Sequence, residues 1–437
     1  MNTFKIILIY GLILKISGVC GQSVGTLTDD GAWCWFSDPR AIFAGGSENR
    51  SIFTGWVTQN GDIEVAILDL QSGGIEKKVI YPELQVDDHN NPAFVELPDH
   101  RILAQYTWHG GTNGVIQNVM ESPPEISSFG DPYVFKPKTD QLIEEYQRET
   151  YTYANPMILS AENNKLYSFG RWIGYKPNMI TSTDNGQTWS DPKVVITSPE
   201  LDTNNRPYVK YFSDGISRIH LVFTDGHPAV EPTNSVYYCY YEDGAFWRVN
   251  GEKICDIENL PFHPEDATVV YRATEESGRS WVFDIAADDN KNPVILYTRY
   301  PRVKEHDYYY TRFDGNSWHH HRILYSGPWF PEDVHGQRQR ELNYSGGLTL
   351  DPNNPAVIYF SHVIDGTFEI SRGETPDYGK TWGITPVTRD SQFDNVRPFV
   401  PRYQNSDDPN AVLWMQNHSY IHYTDYQSSI RYAIFPK

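Results

Sequence analysis

His89 and His109 stand 20 residues apart, each at the end of an apolar, strand-like run. His89 belongs to Asp87-Asp88-His89-Asn90-Asn91-Pro92, and His109 to Tyr106-Thr107-Trp108-His109-Gly110-Gly111. Between them, Ala93-Phe94-Val95-Glu96-Leu97 and Ile102-Leu103-Ala104-Gln105-Tyr106 flank the turn Pro98-Asp99-His100, which is the pattern of a hairpin. A hairpin of this length brings its outer ends back together, so the two imidazoles can face one small volume. Histidine titrates near neutral pH and is the usual proton-transfer residue. Two loop histidines held by structural hydrogen bonds would leave the same trace in the sequence.

The elements that must position such a pair are strands. Strand-like runs recur at 65–70, 79–81, 165–170, 219–223, 236–241, 294–300, 357–361 and 411–415, and no long helical periodicity interrupts them. Ser182-Thr183-Asp184-Asn185-Gly186-Gln187-Thr188-Trp189 and Thr375-Pro376-Asp377-Tyr378-Gly379-Lys380-Thr381-Trp382 match the Asp-box pattern. In that turn the Asp caps the backbone, Gly takes a positive φ and Trp fills a hydrophobic gap. Residues 241–247 and 312–318 are weaker echoes, and the four closing tryptophans are spaced by 58, 71 and 64 residues. A period of about 60 residues is one four-stranded blade, and about 415 residues then make roughly seven blades. The expectation is an all-β fold, a single seven-bladed β-propeller over 22–437. The Asp-boxes would build turns away from the funnel and do no chemistry.

Composition narrows the partners. The chain has 437 residues and a net charge of −20, which disfavours nucleic acid. It can take an anionic polymer only through a local basic cleft. Aromatics are 14% of the residues, with 30 Tyr and 12 Trp, a composition suited to strands and to stacking on sugar rings. Residues 1–21 read as a signal peptide: Lys5, an apolar core from Ile6 to Ile16, and Val19-Cys20-Gly21 as a small-residue cleavage site. That core is too short to span a membrane, and Ser17 and Val19 fit a lipobox around Cys20 poorly. The expectation is export, to the periplasm or beyond, and action as a monomer. Cys34, Cys239 and Cys255 then remain, too few for a disulfide scaffold.

A set of short motifs carries a resemblance. They are the opening Asp30-Gly31-Ala32-Trp33-Cys34-Trp35-Phe36-Ser37-Asp38-Pro39-Arg40-Ala41, Asp88-His89-Asn90-Asn91, Tyr151-Thr152-Tyr153-Ala154-Asn155-Pro156 and Phe169-Gly170-Arg171. Arg206-Pro207-Tyr208-Val209-Lys210-Tyr211, Thr224-Asp225-Gly226-His227-Pro228 and Tyr344-Ser345-Gly346-Gly347 complete it. Together they resemble the BNR-type propeller family that includes the secreted ulvan lyases, with polysaccharide lyase family 25 nearest and family 24 behind it. The resemblance covers nearly the whole mature chain.

The resemblance implies β-elimination on ulvan, a sulfated rhamnose–uronate polymer of algae. The reaction needs a cation or strong donor on the uronate carboxylate, a base for the C5 proton and an acid for the O4 leaving group. Arg171 can hold the carboxylate in a fork. His89, His109, Tyr153 and Tyr208 are the acid, base and carboxylate partners, with the choice of base left open. Lys210, two residues after Tyr208 on the same strand face, is placed to touch a sulfate or carboxylate. The resemblance also implies a structural zinc, with His227 and Cys239 as donors and His306, His319, His320 or His321 as possible completions. On a strand, however, 319–321 alternate faces and cannot chelate together. The rival functions are a rhamnosidase or rhamnosyl-glucuronate lyase on the same scaffold, a sialidase, and a carbohydrate-binding propeller without catalysis.

Overall fold

In a computed structural model, the described residues are 23–46, 49–198, 205–302, 305–327 and 346–435. The leader-like residues 1–21 and the motif residues Tyr344 and Ser345 lie outside them. Seven antiparallel sheets stand in a ring, each a blade with its first strand innermost. The inner strands are Ala41–Ala44, Ala93–Glu96, Asn155–Leu159, Val209–Ser213, Arg279–Ala287, Leu348–Leu350 and Asp394–Phe399. Six sheets have four strands, and the fourth blade has six. Asp140–Tyr146 is the one α-helix among the described residues.

Blades pack face to face, which explains why many strands are apolar throughout rather than alternating. Val236–Glu242 buries every residue but the last, and Ser51–Val57 buries all seven. The ring closes through Ser23–Thr28, which pairs with Asp425–Phe435 as the outermost strand of the seventh blade. Both Asp-boxes join the third and fourth strands of their blades, as do the two weaker echoes. Asp184 accepts the Thr188 N–H at 2.9 Å and its hydroxyl at 2.6 Å, and Asp377 accepts the same pair from Thr381. Trp189 Nε1–H bonds Gln117 of the preceding blade, and Trp382 packs on Tyr310 of its own predecessor. The boxes are therefore turn builders that also fasten one blade to the next.

The segment from Trp33 to Arg40 crosses the middle of the ring. Trp35 stacks on Phe283 of the fifth blade at 5.3 Å, Phe36 packs on Tyr208 of the fourth, and Asp38 N–H bonds Asn155 of the third. On the far side, Cys34 N–H donates to the Asp88 carbonyl and Arg397 of the seventh blade donates to the Trp33 carbonyl. This buried plug therefore touches the third, fourth, fifth and seventh blades and forms a floor under the mouth of the ring.

Candidate active site

Strand direction gathers the site at one mouth of the ring. Tyr208 immediately precedes the inner strand Val209–Ser213, and Tyr153 lies just before Asn155–Leu159. Arg171 ends the second strand Lys165–Arg171, and His109 and His227 follow the second strands Ile102–Thr107 and Arg218–Thr224. His89 lies in the short turn Asp88–Asn90 before Ala93–Glu96. Inner strands start, and second strands end, on the same face of an antiparallel blade. Residues from separate blades thus gather because each blade repeats one direction.

The expected hairpin forms, with Ala93 opposite Gln105 and Glu96 opposite Ile102. Its ends bring the imidazoles of His89 and His109 face to face, centroids 4.1 Å apart and 14° between planes. Both rings donate Nδ1–H to one carboxylate: His89 to Asp87 Oδ1 at 2.8 Å and His109 to Asp87 Oδ2 at 2.7 Å. That tautomer leaves each Nε2 pointing away from Asp87. Tyr423, at the tip of the long seventh-blade hairpin, stands edge-on to both rings at 4.7 and 5.3 Å. The Asp88 N–H bond to the Tyr423 carbonyl holds that tip in place.

On its other side His89 lies beside Tyr153, centroids 5.7 Å apart. Two backbone bonds between Thr152 and Arg171 carry the blade pairing up to Tyr153, and Trp172 Nε1–H holds the Tyr153 carbonyl at 3.0 Å. Tyr153 has a φ of 68°, a costly backbone for a tyrosine. Gly170 makes room for it, since a Cβ there would lie 2.6 Å from the Tyr153 carbonyl oxygen and 2.0 Å from Trp172 Nε1. The Arg171 guanidinium lies 5.0 Å from both the Tyr153 and Tyr208 rings and donates to Tyr208 Oη at 2.6 Å. Arg171 is 5% exposed, and among the described residues it has no carboxylate partner. Tyr175 adds a third ring, 5.6 Å away.

The two histidines differ in charge. Burial opposes protonation of His89, but the Cys34 sulfur and the Asp87 and Asp88 carboxylates outweigh it and raise its pKa well above the usual value. Burial and then the charge of His89 hold His109 down at about 4, against the pull of Asp87. At neutral pH the pair is one imidazolium and one neutral imidazole, a division that belongs to the coupled pair. Behind them Asp88 accepts from Arg397 and Tyr420 and stays ionised: burial opposes its charge, but Arg397, His89 and Tyr420 together outweigh that cost. Arg171 stays charged: burial lowers its pKa, but Tyr208 and Tyr153 raise it further.

Three residues fall elsewhere than expected. Lys210 lies on the same strand face as Tyr208, but that face meets the plug: its ammonium binds the Asp38 carboxylate and the Trp35 carbonyl, and it is 2% exposed. It is therefore a buried pin and not a substrate contact. His227 joins the cleft, packed edge-on to Trp281 at 4.5 Å and Tyr208 at 5.4 Å. Its Nδ1 accepts the Ala229 N–H, and burial followed by Arg206 and Arg171 keeps it neutral. Cys239 is fully buried in another cluster, with Tyr237 and Tyr241 on its strand face.

His227 and Cys239 do not fit a zinc centre. His227 spends Nδ1 on the backbone, and among the described residues no group of three metal donors includes either side chain. His306 is stacked on Tyr300, and His320 is bonded to Thr311 and faces away from His319 and His321. The donor groups that do converge are Asp87, His89 and His109, and Cys34, Asp88 and His89. Asp87, Tyr423, Trp281 and the cleft role of His227 had no sequence assignment. Only Asp87 had a local signal, an acid two residues before a candidate histidine.

The family model of BNR repeat-containing proteins matches residues 51–324. No curated protein matches the chain in sequence. Among solved structures, it is similar to a PL25 ulvan lyase, described as a new family of polysaccharide lyase, with a TM-score of 0.69 at 16% identity. That match covers 94% of this chain and 95% of the other. The same lyase bound to -[GlcA(1-4)Rha3S]- matches with a TM-score of 0.68 at 16% identity over the same shares. Polysaccharide lyase Uly1 matches with a TM-score of 0.57 at 12% identity, over 94% of this chain and 99% of its own. At these identities the likeness establishes a shared fold.

Proposed function

We propose that this chain, which belongs to the BNR repeat-containing family, is a polysaccharide lyase that cleaves ulvan by β-elimination at the uronate. The observation that carries this reading is the buried Arg171, flanked by two phenols and one ring away from the imidazolium of His89. The propeller lyases that share its fold support the same reaction class. The leader-like residues 1–21 support export.

Arg171 and His89 supply two positive charges, and the reaction brings two negative ones to meet them. The first is the substrate carboxylate, whose neutralisation stabilises the enolate-like intermediate. The second is the phenolate of Tyr153, formed as its hydroxyl proton leaves to solvent; its ring lies beside both cations, which stabilise that charge. That phenolate takes the C5 proton. The electron pair forms the C4–C5 double bond and the C4–O4 bond breaks. Tyr208 accepts a hydrogen bond from Arg171, so its own proton is directed away from Arg171 and passes to O4. Neutral His109 keeps Asp87 oriented and lets His89 hold the charge.

A hydrolase reading fits less well. Glycoside hydrolysis uses two carboxyl groups across the scissile bond. Asp87 is occupied by both imidazoles, and Asp88 by Arg397 and Tyr420. Purified protein incubated with ulvan should generate the ultraviolet absorbance of a 4,5-unsaturated uronate. New reducing ends without that absorbance would make it a glycosidase, and binding without cleavage would make it a carbohydrate-binding propeller.

A further inference from the structure

The second Asp-box carries an unusual residue. The position between its Asp and Gly takes a left-handed backbone in both boxes, with φ of 59° at Asn185 and 62° at Tyr378. Asn tolerates that conformation and a tyrosine pays for it in strain. A tyrosine there should pack its ring away in return, yet Tyr378 is 60% exposed. The ring is held by the Arg312 guanidinium, 4.1 Å from its centroid, and Arg312 is fixed in turn by Asp288 at 2.6 Å.

Tyr378 borders a cavity of about 340 Å³ between the fifth and sixth blades. Asn290, Asn292, Arg312, Asp314, His319, His321 and Lys380 line it with the ring. His319 is oriented by Asp314 at 2.6 Å, and among the described residues Lys380 has no ion-pair partner. The cavity lies at the far ends of the third strands, the face opposite the Arg171 cleft. An oriented aromatic ring, planar amide and imidazole groups, and one spare cation match a sugar ring bearing an acidic substituent.

We propose that this cavity is a remote subsite for the polysaccharide, with a pyranose stacked on Tyr378 and its sulfate or carboxylate on Lys380. The inference rests on the lyase reading for the polymer's identity. It gives the enzyme a second hold on a long chain, which raises the effective concentration of substrate at the cleft.

Affinity electrophoresis in native gels containing ulvan tests it, with Arg171→Ala as the parent so that the polymer is not consumed. Tyr378→Asn installs the residue found in the first box and should fold with no loss of Tm. It should weaken retardation about tenfold, whereas Tyr378→Phe keeps the ring and should be retained. Lys380→Gln should weaken retardation and reduce its salt dependence. On the Arg171 background the variants are compared for binding; with Arg171 intact, Tyr378→Asn should raise KM on polymer and leave turnover of short oligosaccharides unchanged. Equal retardation of Tyr378→Asn and its parent, or no retardation of the parent, overturns the subsite. Loss of retardation with no unsaturated product from the wild type would keep the subsite and remove the lyase reading.

Discussion

His89 and His109 lie 4.1 Å apart on opposite oxygens of Asp87, and the contact forces their protonation apart. Two imidazolium rings stacked at that distance would repel, and one carboxylate can neutralise only one of them. His89 takes the charge because Asp88 and Cys34 lie on its side. His109, nearer the influence of Arg171, remains neutral. The pair therefore puts one fixed cation at the cleft in addition to Arg171, in a protein whose net charge is −20.

This division has a signature in stability. His109 has a folded pKa of about 4 against a usual 6.5. The unfolded chain takes up a proton between those values and the folded chain resists it, so stability is full above pH 6.5 and is lost as pH falls toward 4. His89 has the opposite sign, with stability full below 6.5 and lost as pH rises through its elevated folded value. Thermal unfolding of His109→Gln should show a shallower decline than wild type between pH 6.5 and 4. An unchanged acid slope would mean that His109 is not depressed.

Arg171 separates charge from geometry. Arg171→Ala should lower kcat on ulvan by a factor on the order of 10³, because the carbanion loses its main cation. Arg171→Lys keeps a charge but loses the planar group that reaches both phenols, and it should recover little of that rate. A normal kcat with a raised KM in Arg171→Ala would make Arg171 a uniform binding residue.

The two tyrosines should separate by leaving group. Tyr153→Phe removes the proton acceptor and should cost about 10² or more on every substrate. Tyr208→Phe removes the proton donor, so its defect should shrink on a uronoside with a good leaving group at C4. Rates on ulvan and on such a synthetic substrate decide the roles, and equal defects for Tyr208→Phe on both would move the acid elsewhere. Both variants keep their rings in the plug-side packing, so Tm should change little.

What the sequence made legible was local. The hairpin between His89 and His109, the Asp-box turns and the blade period all depend on residues within one repeat, and period-2 and turn chemistry report them. Arg171, Tyr153 and Tyr208 were reached through motif likeness rather than spacing. Tyr423 was invisible because its approach to His89 depends on closure of the whole ring and on Ser23–Thr28 completing the last blade. His227 was read by donor type as a metal ligand, while its surroundings, Trp281 and Tyr208, come from other segments. No local pattern revealed that Trp33–Arg40 would fill the channel.

Lys210 is where that missing plug changes a residue's meaning, and it yields the last test. Lys210 shares a strand face with Tyr208, and the partner across that face is Asp38 rather than solvent. Arg40 also binds Asp38, and Arg402 binds nearby Asp284, so buried charge is balanced across the floor of the site. Lys210→Met leaves the Asp38 carboxylate short of one cation and should destabilise the fold by about 3–5 kcal/mol. The fraction that remains folded keeps Arg171, Tyr153 and the histidine pair in place, so its kcat and KM on ulvan should stay near wild type. A substrate contact would give the reverse, an unchanged Tm with a KM raised many-fold. Measuring Tm and KM on the same preparation therefore assigns Lys210 either to the plug or to the polymer.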